Sequence, residues 1–148
     1  MTLIPRESLT SGLLSVFNIQ RTADASTTHV NENRKNNPVN YTSGDRWCSN
    51  MTTELGAEWW KVTFAIPLYI TNYTITNHGI LPVKSFYVEG LQNSKWYRIS
   101  DVVNSSIGVN EYGTWKTSST GPFTSIRLTS TQNNRNVDGF YFCIYKID

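Results

Sequence analysis

The chain reads as an all-β protein, a two-sheet antiparallel jelly-roll sandwich. Two features predict it. Apolar and polar residues alternate over short runs from Glu58 to Ile147, the period of a half-buried strand. Aromatics make up 13% of the chain while charged residues make up only 16%, so the polarity comes largely from Asn, Ser and Thr. Asn and Ser compete with helices for backbone hydrogen bonds, whereas Thr, Tyr and Trp suit strands. At 148 residues the chain is the size of one domain.

The elements follow in order. Residues 1–12 lack periodicity and read as an N-terminal arm, leaving 13–148 as the folded domain. A first strand is expected at Leu13–Ile19. Arg21–Asn50 is polar and reads as an unusually long loop, of the kind that is functional or tightly tethered. Strands are then predicted at Glu58–Phe64, stopping before Pro67, and at Tyr69–Thr76, with Tyr69, Thr71, Tyr73 and Ile75 on one face. Further strands are predicted at Val83–Glu89, ended by Gly90, and at Lys95–Ile99 after a turn at Gln92-Asn93-Ser94. The last three are Tyr112–Lys116, Phe123–Thr131 and Gly139–Ile147. Frequent turns between seven or eight short strands point to a sandwich or barrel. Trp60, Phe86, Trp96, Ile126 and Phe142 are the expected core. Trp59 and Trp60 are adjacent, so they face opposite sides of their strand, and one needs cover from outside the core.

The order of these motifs resembles the discoidin, or F5/8 type C, domain of the galactose-binding-like jelly-roll class, and its wording is closest to intracellular protist members. Gly44-Asp45-Arg46-Trp47-Cys48-Ser49 is similar to the family's glycine-acidic loop leading to Trp-x-Ser. Glu58-Trp59-Trp60-Lys61-Val62-Thr63-Phe64 is similar to its Trp-hydrophobic-x-Val-Asp-Leu strand, with Thr63 where Asp is common. Tyr73-Thr74-Ile75, Val83 to Gly90, Trp96 and Ile126-Arg127-Leu128 match later strands. The resemblance implies a non-catalytic binding module. It also places Asn77-His78-Gly79 where the family has a recognition loop. Cys48 and Cys143 do not match the terminal bridge of extracellular members, and neither His29 nor His78 has the basic partners of the fucose-binding branch.

No hydrolase motif, zinc motif or phosphate-binding glycine loop is present, and we expect no enzymatic activity and no cofactor. The net charge of +2 is scattered, which argues against nucleic acid. No apolar run reaches membrane-spanning length, and no membrane insertion is expected. Calcium takes about six to eight oxygen ligands. Asp45 is the single carboxylate in its loop, so that loop reads as a turn and no metal is expected. Asp45, Arg46, Trp47, Trp59, Asn77, His78 and Gly79 are the candidate ligand- or partner-binding residues. Tryptophan, Asn, His and Arg suit a glycan site, and an outward tryptophan suits a protein interface.

The expected function is binding of protein partners in a larger assembly, cytoskeletal or ciliary, with a discoidin-type lectin that binds carbohydrate as the alternative. The start of the chain has no secretory leader, so we expect a cytoplasmic location and free thiols at Cys48 and Cys143. Four Asn-x-Ser/Thr sequons, at Asn40, Asn50, Asn72 and Asn104, are then read as chance in a chain rich in Asn, Ser and Thr.

Overall fold

The computed structural model describes residues 19–28, 35, 37–39, 46–50, 56–78, 83–131 and 142–148. The predicted strand at Leu13–Ile19, the arm at 1–12 and the polar loop Gln132–Asp138 lie outside these residues, save for Ile19.

Ten strands and one 3-10 turn, Asn37–Val39, form the described structure, and no α-helix occurs among the described residues. The strands are β1 Arg21–Ala25, β2 Trp47–Cys48, β3 Trp59–Leu68, β4 Asn72–Asn77, β5 Phe86–Gln92, β6 Lys95–Val102, β7 Glu111–Lys116, β8 Phe123–Ser130, β9 Cys143–Ile144 and β10 Lys146–Ile147. A five-stranded sheet runs β1-β3-β8-β5-β6, a three-stranded sheet runs β10-β4-β7, and β2 pairs with β9 as a ribbon. All pairings are antiparallel. The fold is the two-sheet jelly roll that the alternation predicts.

The core lies between the sheets. On β3, Trp60, Val62 and Phe64 point inward while Trp59, Lys61 and Thr63 point outward. Tyr73 and Ile75 face them from β4, and the Tyr73 ring stacks on Trp115 at 5.6 Å. Burial pushes the Tyr73 hydroxyl up to about 12, against the opposing effect of its 2.8 Å hydrogen bond with Ser100. The polar stretch after β1 is tethered. Arg21 donates to the carbonyl of Val39 through Nε and Nη2, and Trp60 Nε1 donates to the carbonyl of Lys35 at 2.7 Å.

Several strand bounds differ from those predicted. Arg21–Ala25 is a strand inside the expected loop. It is an edge strand that buries only Ala23, so its sequence carries almost no apolar signal. β3 continues through Pro67 because the β3–β8 register shifts between Thr63 and Leu68, and proline is tolerated at such irregularities. That extension leaves Tyr69 exposed beyond the strand end, off the face that buries Tyr73 and Ile75. The last predicted strand is divided at Tyr145 into β9, which pairs with β2, and β10, which pairs with β4.

Trp96 is half-buried on the outer face of the five-stranded sheet, not a core anchor. The β5–β6 pairing carries a bulge between Val88 and Glu89, which places an extra residue on β6. Ile99 and Val102 are both buried, and the phase of the strand flips at Ile99, which leaves Trp96, three residues earlier, on the outer face. The Arg127 guanidinium covers the Trp96 ring at 4.2 Å while donating to Glu89 at 3.0 Å. The other four expected core residues are buried.

Gly90 does not end β5. It sits within the strand because the Phe123 ring occupies the space a side chain would need, and a Cβ there would lie 2.5 Å from Phe123. Gly90→Ala is expected to destabilise the fold by about 1–3 kcal/mol, the usual range for overpacking, measurable by urea unfolding. An unchanged midpoint would show that the Phe123 ring moves aside freely.

Cys48 and Cys143 form a disulfide, correcting the expectation of free thiols. The β2–β9 register sets the two residues directly opposite one another, with Cα atoms 4.1 Å apart. Separation by 95 residues hides that adjacency from the sequence.

Candidate functional site

One end of the sandwich gathers most of the candidate residues. In the five-stranded sheet, the register brings the end of β1, the start of β3, the end of β8, the start of β5 and the end of β6 to a common rim. In the three-stranded sheet, Asn77 at the end of β4 pairs with Glu111 at the start of β7. The 103–110 loop, which carries the chain from β6 in one sheet to β7 in the other, is held there by two hydrogen bonds. Ser105 N donates to the carbonyl of Lys84, and Asn77 Nδ2 donates to the carbonyl of Gly108 at 2.9 Å. The 46–50 segment joins the same rim, where Asn50 N donates to Thr27 Oγ1.

Arg46 enters this rim just before β2. Its guanidinium carbon lies 5.4 Å from the centroid of the Tyr145 ring, and Nη1 donates to the Tyr145 hydroxyl at 2.7 Å. Tyr145 is buried, so it fixes the half-buried arginine from below. Lys146 lies opposite Thr76, and continuing that register by one residue sets Tyr145 level with Asn77. His78, exposed, is the next residue along. The fold therefore brings Arg46, Tyr145 and His78 to the same part of the rim. A cation held by an aromatic ring, on the same rim as an exposed imidazole, suits hydrogen bonding to hydroxyl-rich or anionic ligands.

Two of the predicted site residues are structural instead. Trp47 is fully buried. Its Nε1 donates to the Thr27 carbonyl and to Thr28 Oγ1, and its ring meets Phe142 edge-on at 5.7 Å. It points into the core because β2 has the disulfide and the β9 pairing on one side and the sandwich on the other, so it offers no platform to a sugar. Asn77 is 1% exposed, and its amide holds the loop before β7.

Trp59 lies on the outer face of the five-stranded sheet, half-buried, with Lys61 Nζ 5.7 Å from its ring centroid. Its side chain faces away from the core, and the opposite facing of Trp59 and Trp60 holds. Asp45 and Gly79 lie outside the described residues.

The sequence reading missed Tyr145 and Glu58. Tyr145 followed the apolar run of the last strand and read as part of it. Its only signal was a polar-tipped ring beside Lys146. Glu58 is a buried carboxylate at the head of β3, and its Oε2 accepts from the hydroxyls of Ser26 and Thr27. It binds the end of β1 to the start of β3 under the 46–50 segment. A lone acid directly before two tryptophans was the available hint. Among the described residues, no group of three His, Cys, Asp or Glu is placed to hold a metal ion.

No protein-family model matches the sequence, and no curated protein matches it either. Solved structures do match in fold. The family 32 carbohydrate-binding module of C. perfringens NanJ, solved in complex with galactose, aligns with a TM-score of 0.67 at 14% identity, covering 86% of this chain and 90% of that one. Chitosan-binding module 1 from a chitosanase/glucanase of Paenibacillus sp. IK-5 aligns at 0.69 and 13% identity, covering 87% and 93%. An F5/8 type C domain from Bacteroides fragilis aligns at 0.69 and 10% identity, covering 90% of each chain. The chain has the galactose-binding-like jelly-roll fold shared by these F5/8 type C and family 32 modules.

Proposed function

We propose that this chain is a non-catalytic glycan-binding module whose site is the rim formed by Arg46, Tyr145 and His78. The observation that carries this reading is the Arg46–Tyr145 pair, held at the rim of the sandwich on which β4 ends and His78 is exposed. The fold neighbours solved with galactose and with GalNAc-β-1,3-galactose, and the chitosan-binding module, support a carbohydrate as the ligand class. Fold alone does not fix function, so the rim residues bear the weight of the argument.

Protein binding in a cytoskeletal or ciliary assembly was the first expectation from the sequence, and it leaned on an outward tryptophan. Trp59 is half-buried and partly covered by Lys61, which makes it a weaker anchor than that expectation needs. We therefore place glycan binding first. The cytoplasmic expectation rested on the lack of a recognisable leader, and the free thiols were inferred from it. The Cys48–Cys143 pair supports an oxidising compartment in its place.

The test is titration calorimetry against galactose, GalNAc and chitosan oligomers. Saturable binding to at least one is expected, and His78→Ala should weaken it by about tenfold, the equivalent of one well-placed hydrogen bond. His78 is exposed, so the variant should unfold at the same temperature as the parent. Absence of saturable binding across the panel, or binding unaffected by His78→Ala, would remove the rim as the site.

A further inference from the structure

We propose that Asn72 is an acceptor of N-linked glycan. Asn72-Tyr73-Thr74 is a complete acceptor sequon, and the structure supplies three reasons to set it apart from chance. The first is its position. Asn72 opens β4, with its side chain exposed on the solvent face of the three-stranded sheet while Tyr73 faces the core. The second is the absence of a local role for asparagine. Asn is disfavoured in strands, and it is retained at turns and caps where its amide bonds nearby backbone or where φ is positive. Asn72 has none of these settings. The hydrogen bond of its amide is a 3.4 Å contact with the neighbouring Thr71 hydroxyl.

Asn104 forms the contrast. It belongs to a sequon too, but its φ of 52° explains the residue type without any modification. Asn50 is exposed, yet the rest of its sequon lies outside the described residues.

The third reason is the disulfide. A Cys48–Cys143 bond is favoured in an oxidising, secretory environment, where sequons are modified. In the transfer, Asn72 Nδ2 forms a bond to the anomeric carbon of a polyprenyl-diphosphate-linked oligosaccharide. The carbon–oxygen bond to the diphosphate breaks, the diphosphate leaves with the electron pair, and the amide gives up one proton. Thr74 Oγ1 is hydrogen-bonded to Thr114 in the folded sheet, so the hydroxyl is available to the transferase only before β4 pairs with β7. The folded domain then accommodates the product. Asn72 and His78 stand at opposite ends of β4, roughly 20 Å apart at the rise of an extended strand, so the glycan leaves the rim open. The proposal is independent of whether the rim binds sugar.

The experiment is peptide mapping by mass spectrometry of the chain isolated from the cells that make it, before and after enzymatic release of N-glycans. The expected result is a glycopeptide at Asn72 that, after release by an amidase, carries aspartate at that position in place of the asparagine. In the same cells, Asn72→Gln and Thr74→Ala should abolish it, while Thr74→Ser should retain it. A fully unmodified Asn72 peptide would overturn the proposal, whether the cysteines in that material are paired or free. A modified peptide that persists in Thr74→Ala would overturn the sequon as its cause.

Discussion

Trp60→Ala should lower the unfolding free energy by about 3–5 kcal/mol, the range for emptying a large aromatic site in a core. The indole is fully buried between the sheets, next to strands β1 and β8, where Ala25 and Leu128 are its register partners. Truncation removes more than packing. Trp60 Nε1 donates to the carbonyl of Lys35, so the variant also releases the tether that draws the polar segment before β2 against the sandwich. Trp60→Phe separates the two effects, because it keeps most of the apolar volume and loses the donor, and it should fall between the variant and the parent. Trp59→Ala, one residue away on the outer face, should cost about 1 kcal/mol or less, within the range of surface changes. Urea unfolding followed by far-ultraviolet circular dichroism measures all three. A loss below about 1 kcal/mol for Trp60→Ala would mean that the inward and outward faces of β3 are reversed.

That pair of neighbours also shows what sequence alternation conveys. The facing of β3 followed directly from Trp59-Trp60-Lys61-Val62-Thr63-Phe64, because a long strand with one buried face writes its period into the residue types. The same holds for Ile126 and Leu128 on β8 and for the hairpin at Asn93-Ser94, where both turn residues have positive φ. Trp96 was misread because period-2 counting assumes an unbroken register, and the β6 bulge at Ile99 breaks it between the tryptophan and the buried end of the strand. Edge strand β1 escaped notice for a different reason, since burying one alanine leaves no pattern to read.

The rim was less legible than the fold. Arg46 and His78 stood out by residue type, but Trp47 and Asn77 were drawn into the same site on equally good chemical grounds. Burial separates them. An indole that finds hydrogen-bond partners at Thr27 and Thr28 is as well satisfied inside as at a ligand, and an amide that can hold a loop carbonyl needs no sugar. Those partners are 19 to 31 residues away in sequence, beyond the reach of any local pattern. Tyr145 was missed on the same principle, since its partner Arg46 lies 99 residues earlier.

Removing the disulfide, as Cys48→Ala with Cys143→Ala, should cost about 2–5 kcal/mol, because the bond closes a loop of 95 residues in the unfolded chain. The effect should concentrate at the rim. β2 and β9 are two residues each, and their pairing is extended by Ser49 N bonding to the Phe142 carbonyl and by Phe142 N bonding to Ser49 Oγ. A ribbon that short holds few bonds of its own, so the covalent link is what keeps Arg46 against Tyr145 as the chain breathes. Reductant should therefore lower the stability of the parent to that of the double variant and leave the double variant unchanged. Ligand affinity at the rim should fall with it, while Trp60 stays buried. Thiol titration of the denatured, unreduced protein decides the premise. It should detect no free thiol, and two titratable thiols would return both cysteines to the reduced state expected from the sequence and remove the case for an oxidising compartment.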